Sequence, residues 1–460
     1  MNKPSNNVFL QGIWQPLTEE YTLENCVVLG TLPKELNGTF YRNGPNPHYL
    51  YSAKNYHMYE GDGMIHAISF NHGKVSYLNR WVRTEKFLLE EKAKKGLFGG
   101  LRDFAACDPS VQNCSRNTAN TNILLHNNNL LALNEAHQPI AIKPDDLSTL
   151  GTFNFNNTLD RSMTAHPKTD PITGELLFYS YFSMNLDFMY FIAHKKGNIT
   201  YQEKLTMPYI SMMHDFAITK NYSIFPVFPL TWDLRRIMRK EYIFQWEPNL
   251  GTHFGIMPRY GNDETMIWFQ DDACLAMHVV NAYEKGDNII LDMMVLNDIP
   301  ENAIAFADNN QIFPVYLTRW IFNLTTRKLS KQNLDNVSSE FPRIDERFTS
   351  QQHHHAYMAS TLNNNLIEFD SITHYDLQQD IKQIHRFGNK IMPHEPIFVP
   401  RSKNSKQGEG FLLTYVYHTT QDRSDLVILD AEHVDHEPVA IVQLPHRIPY
   451  GFHGCWVSQE

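Results

Sequence analysis

Residues 122–139 read NILLHNNNLLALNEAHQP. Two apolar runs, ILL and LLAL, flank His126-Asn127-Asn128-Asn129. Asparagine tolerates the left-handed backbone of a tight turn, so this spacing predicts a β-hairpin. A second hairpin is expected in MIHAISFNHGKVSYLNRWVRT (64–84), turning at Asn71-His72-Gly73-Lys74. NGTFYRNG (37–44), ELLFYSYFS (175–183) and NIILDMMVL (288–296) have the same strand character. Helical patterning is confined to KFLLEEKAKKGLFGGLRDF (86–104) and LTWDLRRIMRKE (230–241). No Gly/Ser linker or charge run divides the chain, so residues 1–460 are expected to form a single domain. Many short strands over this length predict an all-β fold, a propeller or a large barrel. No crisp repeat fixes a blade count, although a blade takes about 40–50 residues.

Composition narrows the function. The net charge is −10, which argues against a nucleic-acid partner, because that needs a basic face. Cys26, Cys107, Cys114, Cys274 and Cys455 lack CxxC spacing and read as reduced cytosolic thiols. The start, MNKPSNNVFLQG, lacks a signal-peptide core, and no run approaches the ~18 apolar residues of a membrane span. A cytoplasmic protein, at most peripheral on a membrane, is expected. The 28 Phe and 22 Tyr are first a strand signal, and secondly material for an apolar pocket.

Four histidines stand far apart in dense local settings: His166 in SMTAHPKTDPITGEL, His214 in PYISMMHDFAIT, His278 in CLAMHVVNAYE and His453 in RIPYGFHGCWV. Singly, each reads as a buried histidine satisfied by hydrogen bonds. In a propeller the inner strands line one axis, so distant residues can meet there. The first two intervals are of the order of one blade, and the third skips several. The adjacent run His353-His354-His355 is less promising, because neighbours on a strand point to opposite faces. It reads as a solvated loop. His48, His57, His66, His137 and His253 have no partner set that spacing identifies.

Taken with GTFYRNGPNP (38–47), EGDGMIHAISF (60–70), NTANTN (117–122), AHPKTDP (165–171), MMHDFAIT (212–219), EFPRID (340–345), EPIFVPR (395–401) and RIPYGFHGCW (447–456), these settings make the chain resemble the carotenoid cleavage oxygenases almost end to end. That family includes apocarotenoid and stilbene-cleaving dioxygenases and the retinoid isomerohydrolase. The resemblance implies a seven-bladed β-propeller with a few short helices and loops capping the face over the metal. It also implies one non-haem Fe(2+) per chain, held by His166, His214, His278 and His453. Glu135, Glu340 and Glu395 match carboxylates that hydrogen-bond three of the imidazoles, and Thr121 matches a position beside an open coordination site. Imidazole suits iron, zinc or copper, and outer carboxylates fix tautomers and offset the ion's charge.

The implied reaction is cleavage of a conjugated C=C bond by O2 into two carbonyl products, with no organic cofactor. Stilbene-cleaving members typically carry a lysine where this chain has Asn134, so a carotenoid or apocarotenoid leads as substrate. The alternatives are a stilbene-type phenylpropanoid dioxygenase, a retinoid isomerase-like enzyme and a non-catalytic carotenoid-binding propeller. Residues 94–107 and 225–240 mix apolar and basic residues, as interfacial helices that draw a lipophilic polyene from a membrane do. Segments such as 178–191 read as core strands, or as a tunnel lining.

Overall fold

The computed structural model describes residues 7–100, 106–182, 187–233, 235–239, 243–296, 299, 313–362, 368–388 and 390–459. Strands Asn122–His126 and Asn129–Leu133 pair through His126↔Asn129. Asn127 and Asn128 take φ of 48° and 61°, the two left-handed positions of a type I′ turn. Gly63–Asn71 and Lys74–Trp81 pair through Asn71↔Lys74, with His72 and Gly73 at φ of 47° and 82°. The run at 288–296 is the strand Asn288–Leu296, and that at 175–183 contains Leu176–Ser180.

These hairpins extend into seven sheets of four or more strands, with one two-stranded ribbon beside them among the described residues. The fold is a seven-bladed β-propeller. By internal contacts the chain sorts into two units: Met1–Ala165, Tyr415–Ile428 and Pro438–Glu460 form one, and His166–Thr414 with Leu429–Glu437 the other. In the first unit, Gly38–Pro45 pairs on one side with Gly63–Asn71 and on the other with Gly454–Ser458. Its core includes Tyr41, Ile65, Leu130 and Ile142. In the second unit, three sheets run in simple chain order, starting at Lys168–Thr169, Leu275–Lys285 and Ser338–Arg343. Ile224, Phe254, Leu291 and Trp320 share one core there. Each such side chain contributes about 1.5–3 kcal/mol on burial.

Both expected helices shrink. Glu85–Ala93 is helical, capped by the Thr84 hydroxyl accepting the Phe87 N–H, and it ends at Lys94 with φ 54°. The chain then folds back, and Glu90 Oε1 accepts the N–H groups of Leu97 and Phe98 at 2.8 and 3.3 Å. Residues 101–105 of that stretch lie outside the described residues. In the second stretch, Leu230–Trp232 is a strand paired with Phe244–Trp246, and among its described residues Arg235–Met238 is helical. Cross-strand pairing overrides the local pattern.

The segments 94–107 and 225–240, expected to dock on a membrane, turn part of their apolar residues inward. Leu97, Phe98, Phe225, Val227, Leu230 and Trp232 are all buried, so they pack inward. Residues 234 and 240 also lie outside the described residues. Among the described residues, no helix is long and apolar enough to cross a membrane. All five cysteines are unbridged.

Candidate metal centre

Three of the four histidines meet within the second unit. His166 precedes the strand Lys168–Thr169, His214 precedes Ala217–Ile218, and His278 lies inside Leu275–Lys285. Ring centroids are 4.4 Å apart for His166–His214, 5.1 Å for His214–His278 and 5.2 Å for His166–His278. The Nε2 atoms of His214 and His278 are 3.3 Å apart. The strand carrying His278 slips register on both sides of Val279. Such bulges bend a strand and re-aim its side chains.

Glu340 fixes the orientation of His278, with its Oε2 2.5 Å from His278 Nδ1. Glu340 itself stands at a second register break, between Glu340 and Arg343. The next residue, Phe341, has φ 53°, donates its N–H to the same oxygen at 2.5 Å, and stacks on His278 at 5.4 Å. A left-handed aromatic residue costs of order 1–3 kcal/mol, so the surrounding sheet holds this kink in place. Burial alone lowers the proton affinity of His278. The charge and hydrogen bond of Glu340 outweigh that and leave it above its ordinary value. In the neutral ring, the single N–H points to Glu340 and Nε2 keeps its lone pair for a cation.

Sequence reasoning missed Asp215. Its Oδ1 accepts from Lys168 Nζ at 2.7 Å and its Oδ2 from the Val279 N–H at 2.8 Å. One carboxylate therefore links a residue two past His166, the neighbour of His214 and the neighbour of His278. The signal lay in the quoted motifs, where HPK and MHD place a charge two residues and one residue after a histidine. Other residues of the His166 motif serve the fold. Asp170 accepts the N–H groups of Ile172 and Thr173 and pairs with Arg259 at 2.6 Å.

In the first unit, His453 directly precedes Gly454–Ser458. Its N–H donates to the Thr121 carbonyl at 3.3 Å, and its carbonyl accepts the Asn43 N–H at 2.9 Å. Ligand atoms of His166, His214, His278 and His453 all lie within 4.8 Å of one another. Four imidazoles at this spacing can bind a metal, and the donor set fits iron, zinc or copper alike. Glu395 is buried, 3.5 Å from Arg343 Nη1. Glu135 is half-buried in the turn after Asn129–Leu133. Neighbouring Asn134 donates to Thr118 Oγ1 at 3.0 Å and accepts the Ala136 N–H at 3.1 Å.

The run His353-His354-His355 is not a solvated loop. His353 is buried, with Nε2 3.3 Å from Asp292 Oδ2, and Asp292 is held by Arg319 through two 2.7 Å contacts. His355 opens the strand His355–Thr361, and its Nδ1 lies 3.0 Å from His374 Nε2. His48 pairs with Glu91 and His66 with the Tyr77 hydroxyl, at 2.5 and 2.8 Å.

The family described as retinal pigment epithelial membrane protein matches residues 14–458. The chain is 35% identical to an isoeugenol monooxygenase of Pseudomonas putida, over 99% of each chain. It is 33% identical to carotenoid 9,10(9',10')-cleavage dioxygenase 1 of Arabidopsis thaliana, over 98% of this chain and 90% of that one. Among solved structures, a Pseudomonas brassicacearum lignostilbene dioxygenase superposes with a TM-score of 0.93 at 29% identity, covering 100% of both.

Proposed function

Because this chain belongs to the retinal pigment epithelial membrane protein family, the carotenoid cleavage oxygenases, we propose that it is a non-haem Fe(2+) dioxygenase acting on a carotenoid or apocarotenoid. It splits one conjugated C=C bond, and the two atoms of O2 become the oxygens of two carbonyl products. The observation that carries this reading is the convergence of His166, His214, His278 and His453, with Glu340 bonded to His278. These four histidines hold one ion per chain, and the bound ion supplies the activation of O2. Glu340 keeps the His278 lone pair directed at the ion. In the same reading, Glu135 and Glu395 support two further imidazoles and offset a charge that four neutral ligands leave uncompensated. Thr121 stands beside an open coordination position. The protein's remaining task is to hold one double bond in reach of the site, and no side chain acts as general acid or base.

The hydrogen bonds of Asn134 support a polyene over a phenol. Its side chain is engaged by Thr118 and by the Ala136 N–H, where a phenol-binding lysine would stand in a stilbene-cleaving relative. A second reading, an aryl-conjugated alkene, is favoured by the likeness to an isoeugenol monooxygenase and a lignostilbene dioxygenase. Incubation with β-carotene, several apocarotenals, isoeugenol and resveratrol under isotopic O2, read by mass spectrometry, separates the two. Labelled apocarotenoid aldehydes are expected. Labelled aryl aldehydes alone would select the second reading. Stoichiometric zinc with no iron-dependent turnover would overturn both.

A further inference from the structure

Two register slips bracket Val279 in the strand that carries His278. Ala276 faces Val295 and Val279 faces Met293, so Met277 and His278 together span the single residue Met294. Asn281 then faces Asp292, which leaves Val280 without an opposite number. A bulge interrupts the ladder and leaves backbone groups in want of partners, and a buried amide without one is costly. Val279 is buried, and its N–H donates to Asp215 Oδ2 at 2.8 Å. The carboxylate thus does for this kink what a neighbouring strand does elsewhere in a sheet.

Its other oxygen reaches two further segments. Asp215 Oδ1 accepts from Lys168 Nζ at 2.7 Å and from the Phe216 N–H at 2.7 Å. Asp215 is buried, and Lys168 supplies the cation that a buried carboxylate needs. Charge-assisted bonds of this kind are roughly twice as strong as neutral ones. The strands Lys168–Thr169, Ala217–Ile218 and Leu275–Lys285 each stand at the end of a separate sheet. Among the described residues no ladder joins those three sheets, so side chains must set the spacing of His166, His214 and His278. Asp215 touches all three segments.

We propose that Asp215 is a positioning residue of the metal centre. Its carboxylate locks the bulge that aims His278, and its bond to Lys168 ties that strand to the segment of His166. Glu340 holds the His278 ring itself, whereas Asp215 holds the backbone from which the ring departs. An arrangement formed in advance spares an incoming ion the cost of ordering its ligands. This role presupposes that the four histidines form one metal site, as in the function proposed above.

The test compares Lys168→Met/Asp215→Asn with Lys168→Met/Asp215→Leu in the full chain. Both remove the ion pair as a pair, and neutral groups of similar size in its place often leave folding intact. Only the Asn amide oxygen can still accept the Val279 N–H. Hydrogen exchange without metal, read by mass spectrometry on peptides covering residues 275–285, should keep Val279 protected in the Asn variant. In the Leu variant that amide should exchange about tenfold faster. Co2+ affinity, by competition with a chelator, should be about tenfold weaker in the Leu variant than in the Asn variant, and the visible spectrum of bound Co2+ should change with the ligand geometry. Asp170→Asn breaks the buried Asp170–Arg259 pair of the same motif and should lower stability while leaving Co2+ affinity and spectrum at parent values. Equal Val279 exchange in the two double variants would overturn the proposal. So would equal Co2+ affinity and spectrum in them, or an equal loss of affinity in Asp170→Asn. A parent chain that binds no Co2+, or binds it as tightly after His278→Ala, would overturn the metal reading and this role with it. Failure of the Asp215 role alone shows instead as a parent that binds Co2+, a His278→Ala variant that does not, and two double variants that behave alike.

Discussion

Two sets of histidines behave in opposite ways. His166, His214, His278 and His453 are far apart in the chain, yet their ligand atoms share a 4.8 Å neighbourhood. His353, His354 and His355 are consecutive, yet they go to different places. His353 reaches the Asp292–Arg319 pair, while His355 reaches His374 on a neighbouring strand. Strand alternation disperses neighbours, and sheet topology gathers strangers. In a β-protein, nearness in sequence is thus a poor guide to a shared ligand.

The sharpest way to break this contrast is to remove a scattered histidine. His278→Ala should cut metal affinity by more than roughly a hundredfold and abolish turnover, as read by metal content per chain and product formation. Retained metal would mean that the cluster is not the binding site. Next comes Glu340→Gln, which keeps the shape and loses the charge. It should weaken metal binding by about 10–100-fold, measured by competition with a chelator.

The consecutive set should answer in stability, not in metal. Burial, and secondarily the charge of His355, lower His374 from 6.5 to about 4. Above pH 6.5 both folded and unfolded chains hold it neutral, and its full contribution is present. As pH falls from 6.5 to 4, the unfolded chain binds the proton and the folded one does not. Roughly 3 kcal/mol is lost over that window. Urea midpoints should therefore fall more steeply with acid in the parent than in His374→Gln. Parallel slopes would remove His374 from the account.

His353→Ala should cost about 2 kcal/mol with metal content unchanged, because it strips a partner from a buried carboxylate. His354→Ala should change stability by less than about 0.5 kcal/mol, since only its backbone is engaged, through its carbonyl to Leu377 and its N–H to Gln407. A metal loss in either variant would contradict the division between the two sets.

What could be read beforehand follows from range. The Asn127-Asn128 and His72-Gly73 turns were legible because a type I′ turn is a local preference of two residues. The helix expected at 230–241 was not, because Leu230–Trp232 takes its conformation from Phe244–Trp246, a partner that no local window contains. Strand alternation argued against a shared ion at His353-His354-His355 and left a solvated loop as the reading, whereas Asp292 and Arg319, both distant in sequence, meet a buried His353. The four candidate ligand histidines stand out only through family motifs. The two register breaks that aim His278 and Glu340 have no sequence signature, and neither does the strapping role of Asp215.

The pairing of Gly38–Pro45 with Gly454–Ser458 sets a schedule. Everything between those strands must leave the ribosome before they can join, and closing so long a span is slow. His453 sits one residue ahead of the closing strand and is tethered to Thr121, so it takes its place only when that strand docks. The fourth histidine is in effect a completion signal: a chain that has not finished folding offers three imidazoles, and only the finished one offers four.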